Sequence, residues 1–233
     1  MADAGPPTLE VHEGALPSGL LGILRAGFPP GVRAISSAVV GGGITCPSWF
    51  LNAGVRADYS RDDPDRHLAE VAERLGYPGE GIGMLTAAPV ERVRSADDGG
   101  VRVWATVGIR DPLWAARQRE LGARAGHAYT PGTINILAWV PAALVDAALV
   151  NAIATATEAK SQALFERGVA GTGTATDALC IACLQSGAFR ERFCGPASRW
   201  GARLARAVHA AVTDGIDDWQ ARNGTHTVEA VSG

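Results

Sequence analysis

A chain of 233 residues that is 47% hydrophobic and 6% aromatic can bury a core as one large domain or two small ones. Its formal charge is −3, with 21 basic residues set against 24 acidic ones and no basic stripe, which excludes a phosphate-backbone binder and leaves no nucleic-acid partner expected. No run approaches the roughly 20 apolar residues that span a bilayer, and MADAGPPTLEVHEG has no basic region leading into an apolar one, so the expected protein is cytoplasmic and does not engage a membrane.

No low-complexity linker divides the chain, which predicts one domain over residues 8–222 between disordered ends at 1–7 and 223–233. LEVHEG and GLLGILRAG read as two short strands punctuated by Pro17, Gly19 and Gly27. VRAISSAVVGGGI reads as a strand ending in Gly41, Gly42 and Gly43, either a wide turn or a loop that a substrate can approach closely, with Ser36 and Ser37 inside the strand. A loop holding Trp49, Phe50 and Asn52 follows. DPDRHLAEVAERLG is then an amphipathic helix with Pro64 in its first turn, a stripe of Leu68, Val71, Ala72 and Leu75, a stop at Gly76, and His67 on its solvated side.

GIGMLTAAPV, ERVRSADDGG and VRVWATVGI continue as strands, the last two joined by a DDGG hairpin turn. Thr86 and Thr106 interrupt two of them near their C-terminal ends, bonded to backbone or flooring a pocket. Residues 110–131 lack periodicity and have the length of a functional loop or lid. In GTINILAWV, alternation places Thr133, Asn135, Leu137 and Trp139 on one face and Ile134, Ile136, Ala138 and Val140 on the other, with Pro141 ending the strand.

The helix expected from about Ala142 to Arg167 carries Leu149, Ile153, Thr157, Lys160 and Leu164 at spacings of four, four, three and four, which puts polar Thr157 and Lys160 on the inward stripe and Glu158 away from it. A core-facing Lys either snorkels or meets a carboxylate. Asp177, at the mouth of the strand ALCIACL and sharing a face with Leu179, Ile181 and Cys183, is the candidate partner, and Gly168, Gly171 and Gly173 let the connection bring the two together. GTGTATD has no GK[ST] and runs from helix to strand, so it is not a phosphate loop; a nest of backbone N–H groups with the hydroxyls of Thr172, Thr174 and Thr176 fits it better. Cys180 and Cys183 form a CxxC inside that strand, where residues three apart face opposite ways, so both read as buried thiols rather than a zinc or redox pair. A second long helix, capped near Ser198, follows. Strands first and two long helices last give an α+β fold, with a largely antiparallel or mixed sheet and the helices packed on one face. Nothing in the sequence sets an oligomeric state.

The series SSAVVGGG (36–43), LNAGV (51–55), GMLTAA (83–88), GTINI (132–136), TATEAK (155–160), GTGTATDA (171–178) and CGPASRWG (194–201) resembles the CbiZ family of adenosylcobinamide amidohydrolases, in order, over about residues 33–212. The resemblance implies hydrolysis of the amide that joins the corrin propionyl side chain to aminopropanol, giving adenosylcobyric acid and 1-amino-2-propanol in corrinoid salvage for vitamin B12. The corrinoid is the substrate, its cobalt implies no protein metal site, and no cofactor is expected. One departure is Asp111, in GIRD, where the family pattern leads one to expect an Asn.

No G-x-S-x-G, HExxH or Cys-His context is present. An amide hydrolase needs a base, a proton donor and oxyanion donors. The expected catalytic set is therefore Lys160 as acid or electrostatic stabiliser and Asp177 or Glu158 as base. The expected substrate contacts are Asn135, Thr133, Thr157, Thr172, Thr174, Ser37, Gly42, Gly43 and Thr86. Two alternatives stay open: a Thr nucleophile at Thr174 or Thr172, with self-cleavage of the chain, and a non-catalytic corrinoid carrier using Trp49, Trp104 and Trp139 as an apolar platform.

Overall fold

The computed structural model describes residues 5–12, 16, 19–116 and 132–224. The expected lid falls largely on 117–131, and most of the two expected disordered ends on 1–4 and 225–233, all outside the described residues. Two mixed sheets lie face to face. The first has the order β1 (Glu10–Val11), β2 (Leu20–Gly27), β5 (Trp49–Val55), β6 (Gly81–Thr86), with β5 and β6 parallel. The second has the order β4 (Gly43–Thr45), β3 (Val32–Ser36), β10 (Ala178–Leu184), β9 (Thr133–Leu144), β8 (Val101–Gly108), β7 (Arg94–Asp98), and β11 (Arg190–Glu191) adds beside the far end of β9. Only β9 with β10 and β9 with β11 are parallel in it. The expected α+β class with a mixed sheet and late helices is what the chain forms.

Three apolar clusters show the layering. Helix α1 (Pro64–Arg74) covers the outer face of the first sheet, burying Leu68, Val71 and Ala72 with Ile23, Leu51 and Ala53. Phe50, Ile82 and Met84 meet Leu137, Trp139 and Cys180 between the sheets. Ile134, Ile136, Ala138, Leu179, Ile181 and Cys183 face α2 (Asp146–Glu166) and α3 (Arg199–Asn223) on the outer face of the second sheet. Cys180 and Cys183 thus point into different cores, as their spacing predicts, and burial pushes both thiols up. Alternation along β9 also holds.

Four local expectations are corrected. Trp49, Phe50 and Asn52 are not in a loop but in β5, which is buried along its whole length. With α1 on one side and the second sheet on the other, both faces are covered, so the period-2 signal of a half-exposed strand disappears. Pro141 does not end β9: the strand runs on to Leu144, and the register with β10 shifts between Cys183 and Leu184, which places Pro141 at an irregularity where no ladder N–H is required. Helix α2 starts at Asp146, after that extension. His67 is buried rather than solvated, stacked on Tyr59 with Tyr59 Oη 3.0 Å from its Nδ1.

The strand directions bring the ends of β3, β5, β6 and β8 and the starts of β9 and β10 to one end of the sandwich. After β3 the chain crosses to the first sheet, with Val40 and Gly83 exchanging backbone hydrogen bonds. Gly41 makes this possible: its φ is +68°, and a Cβ would lie 2.1 Å from the Gly81 carbonyl oxygen.

Candidate active site

At that end, Lys160 Nζ donates to Asp177 Oδ2 at 2.5 Å, and each side chain is 7% exposed. The helix positions Lys160 through a buried stripe made mainly of alanines, Ala148, Ala152, Ala156, Ala159 and Ala163. Small residues let α2 lie close to its neighbours, and Lys160 stands one position from the centre of that stripe. The strand positions Asp177 immediately before Ala178, the first residue of β10.

A buried ion pair persists only if its remaining polar capacity is satisfied. Asp177 Oδ1 accepts from Ile134 N at 2.9 Å and from Thr174 Oγ1 at 2.6 Å, while Oδ2 accepts from Thr174 N at 3.1 Å as well as from Lys160. Two contacts on each oxygen match a carboxylate's acceptor capacity. The nest expected in GTGTATD is therefore filled by the chain's own carboxylate. Lys160 has three N–H donors, and Asp177 is its one hydrogen-bonding partner among the described residues. Gly173 is packed against the pair, since a Cβ there would lie 2.4 Å from Asp177 Oδ2 and 2.6 Å from Lys160 Nζ.

Thr174 has one hydroxyl proton and two acceptors, Asp177 Oδ1 at 2.6 Å and the Gly132 carbonyl at 2.7 Å. Thr133 Oγ1 is 2.7 Å from Thr176 Oγ1, which also reaches Gly132 O at 3.1 Å. Thr172 Oγ1 accepts from Ala115 N at 3.0 Å, and Leu113 and Gly173 form an antiparallel bridge, so the segment after β8 is docked on the loop that holds Asp177.

A second polar cluster lies behind the first, between the sheets. Asn135 Nδ2 donates to Asn52 Oδ1 at 2.9 Å and to Leu85 O at 2.8 Å, its Oδ1 accepts from Ala178 N at 3.2 Å, and Asn52 Nδ2 donates to Thr106 Oγ1 at 3.0 Å. Both N–H groups of Asn135 are thus spent within the protein. That makes it a brace between the sheets, anchored to the residue after Asp177. Thr86 is buried and accepts from Ala88 N at 3.0 Å, a turn-stabilising contact. Ser37 is exposed just beyond β3, where its Oγ accepts from Leu179 N at 3.0 Å and closes the β3–β10 junction beside Asp177. Gly42 and Gly43 are exposed at the same end of β3.

Thr157 and Glu158 stand apart. Thr157 is exposed, not inward-facing, and its hydroxyl bonds back to Ile153 O at 2.8 Å; the buried threonine of TATEAK is Thr155, which donates to Cys194 O at 2.9 Å. Glu158 is exposed and outside the Lys160–Asp177 cluster. The supposed tryptophan platform does not exist either, because Trp49 and Trp139 are buried and Trp104 packs partly against the inter-sheet core. Asn52 and Thr155 lie within the LNAGV and TATEAK segments, and no other feature of the sequence marks them as site residues.

Among the described residues, no group of three His, Cys, Asp or Glu side chains is placed to hold a metal ion, and no helix is long and apolar enough to cross a membrane. Comparison with known proteins is consistent over nearly the whole length. The family model described as CbiZ, adenosylcobinamide amidohydrolase, matches residues 19–224. A Methanosarcina mazei protein named adenosylcobinamide amidohydrolase is 29% identical over 193 residues, covering 79% of this chain and 90% of the relative. A Halobacterium salinarum protein of the same name is 30% identical over 208 residues, covering 88% of each.

Proposed function

This chain belongs to the CbiZ family of adenosylcobinamide amidohydrolases, and from that premise we propose that it cleaves the amide between the corrin propionyl group of adenosylcobinamide and aminopropanol. The products are adenosylcobyric acid and 1-amino-2-propanol, and the reaction serves corrinoid salvage. The observation that carries the site assignment is the buried Lys160–Asp177 pair with Thr174 on its second carboxylate oxygen.

Amide hydrolysis requires that a proton leave the nucleophile, that charge on the tetrahedral oxygen be stabilised, and that the leaving nitrogen be protonated. Asp177 is the base. Lys160, fixed on Asp177 by one of its three N–H donors, uses the others to stabilise the oxyanion and to deliver a proton to the departing amine. Its charge acts strongly because the pair is shielded from water. Water adds across the C–N bond, hydroxyl to the acyl carbon and proton to the nitrogen, so the carboxylic acid and the free amine balance. Glu158 takes no part in this scheme.

A second reading follows from the 2.6 Å contact between Thr174 Oγ1 and Asp177 Oδ1. Thr174 then passes its proton to Asp177 and attacks the amide itself, and water resolves the ester that results. Intact-mass measurement separates the routes: a Thr nucleophile shows an added cobyric acyl mass after rapid quenching, or a chain split near residues 171–174, whereas activated water shows neither. Incubation with adenosylcobinamide and mass analysis of the small molecules tests substrate and reaction together.

A further inference from the structure

Trp114 is 51% exposed, and it lies on the segment docked against the loop that carries Asp177. Its neighbours on both sides are clamped by backbone bonds. Leu113 N donates to Gly173 O at 2.9 Å, Thr172 N donates to Leu113 O at 3.0 Å, and Ala115 N donates to Thr172 Oγ1 at 3.0 Å. Gly171 fits directly beneath, since a Cβ on it would lie 2.7 Å from Leu113 N. Through Gly173, which packs against both Lys160 and Asp177, the clamp ties the backbone on either side of Trp114 to the loop that holds the pair. An exposed aromatic that merely lies on a surface has no need of anchoring on either flank. One that receives a flat, conjugated ligand gains from it, because the ordering is already complete before the ligand arrives.

We propose that Trp114 is a substrate-binding residue whose indole packs against the apolar face of the corrin macrocycle and so sets the scissile side chain against Lys160 and Asp177. This rests on the reaction proposed above. It assigns the ring-recognition role to an exposed tryptophan, whereas Trp49 and Trp139 are core residues.

The test uses adenosylcobyric acid, which carries the macrocycle but not the amide, and measures its retention by ultrafiltration through its visible absorbance. Trp114→Ala should weaken binding by about tenfold or more, and Trp114→Phe, which keeps an aromatic face, should lose less. With adenosylcobinamide, the Ala variant should show its loss mainly as a raised KM. Its melting curve should match the wild type, because the indole is half outside the fold. Equal affinity in Trp114→Ala overturns the proposal, as does a loss of affinity that tracks a loss of folded protein, or a wild-type protein that holds no corrinoid. A wild type that binds adenosylcobyric acid through Trp114 yet leaves adenosylcobinamide intact would leave this inference standing and remove the proposed reaction.

Discussion

Lys160 and Asp177 are each expensive to bury alone, so the consequences of removing one are asymmetric with those of removing both. Lys160→Met leaves a shielded carboxylate without its counter-charge, and Asp177→Asn leaves a shielded ammonium. Each should lower stability by about 3 kcal/mol, read from urea unfolding, and each should reduce turnover at least about 100-fold. The double variant should regain much of the stability and none of the turnover, which separates a reacting pair from a purely structural one. Gly173→Ala is a sharper probe, because its methyl would intrude on Asp177 Oδ2 and Lys160 Nζ while altering a loop and leaving every strand intact. It should lose activity with a smaller change in melting temperature. Glu158→Gln, at an exposed position, should keep wild-type turnover.

The pair itself was legible in the sequence: a Lys on an apolar helical stripe and an Asp at the mouth of the next strand, joined by glycines. Thr157 was not placed correctly, because a stripe drawn through Leu149, Ile153 and Leu164 is centred too far round the helix. The alanines at 148, 152, 156, 159 and 163 define the buried side, and they carry a weak hydrophobic signal. Trp114 stood in a segment without periodicity, where only the docking on Thr172 and Gly173 reveals its position.

At the scale of elements, α3 begins where the sequence predicts, with Ser198 Oγ accepting from Gly201 N at 3.1 Å. Ser198→Ala should cost about 1 kcal/mol in urea unfolding with no change in turnover, since the cap lies away from the Lys160 end of α2. Strand β5 is the element that sequence patterning hides, because both of its faces are buried, and with it went Asn52 and the inter-sheet brace to Asn135. His67 on α1 was hidden in another way: its flank of the helix is capped by Tyr59, from the loop after β5. Burial first, and then the Arg61 charge, hold its pKa below the ordinary 6.5. The unfolded chain therefore binds the proton more readily than the folded one. Stability should be full above pH 6.5 and fall as pH drops from there towards the lowered folded-state value, levelling off below it. The urea midpoint should show this step in the wild type and a smaller one in His67→Gln.

In the whole molecule, two mixed sheets enclosed by α1 on one side and α2 with α3 on the other bring six strand ends to one edge, and the polar groups that matter come from strands far apart in sequence. The order of strands and helices was readable, but the division into two sheets was not, because pairings such as β3 with β10 and β2 with β5 leave no mark in local periodicity. The central proposal is that Lys160 and Asp177 hydrolyse the side-chain amide of a corrinoid. Purified wild-type and Asp177→Asn proteins incubated with adenosylcobinamide, with the small molecules resolved by mass, test it most directly. The account predicts adenosylcobyric acid and 1-amino-2-propanol in equal amounts from the wild type and neither from the variant; unchanged adenosylcobinamide with the wild type, or equal conversion by both proteins, would contradict it.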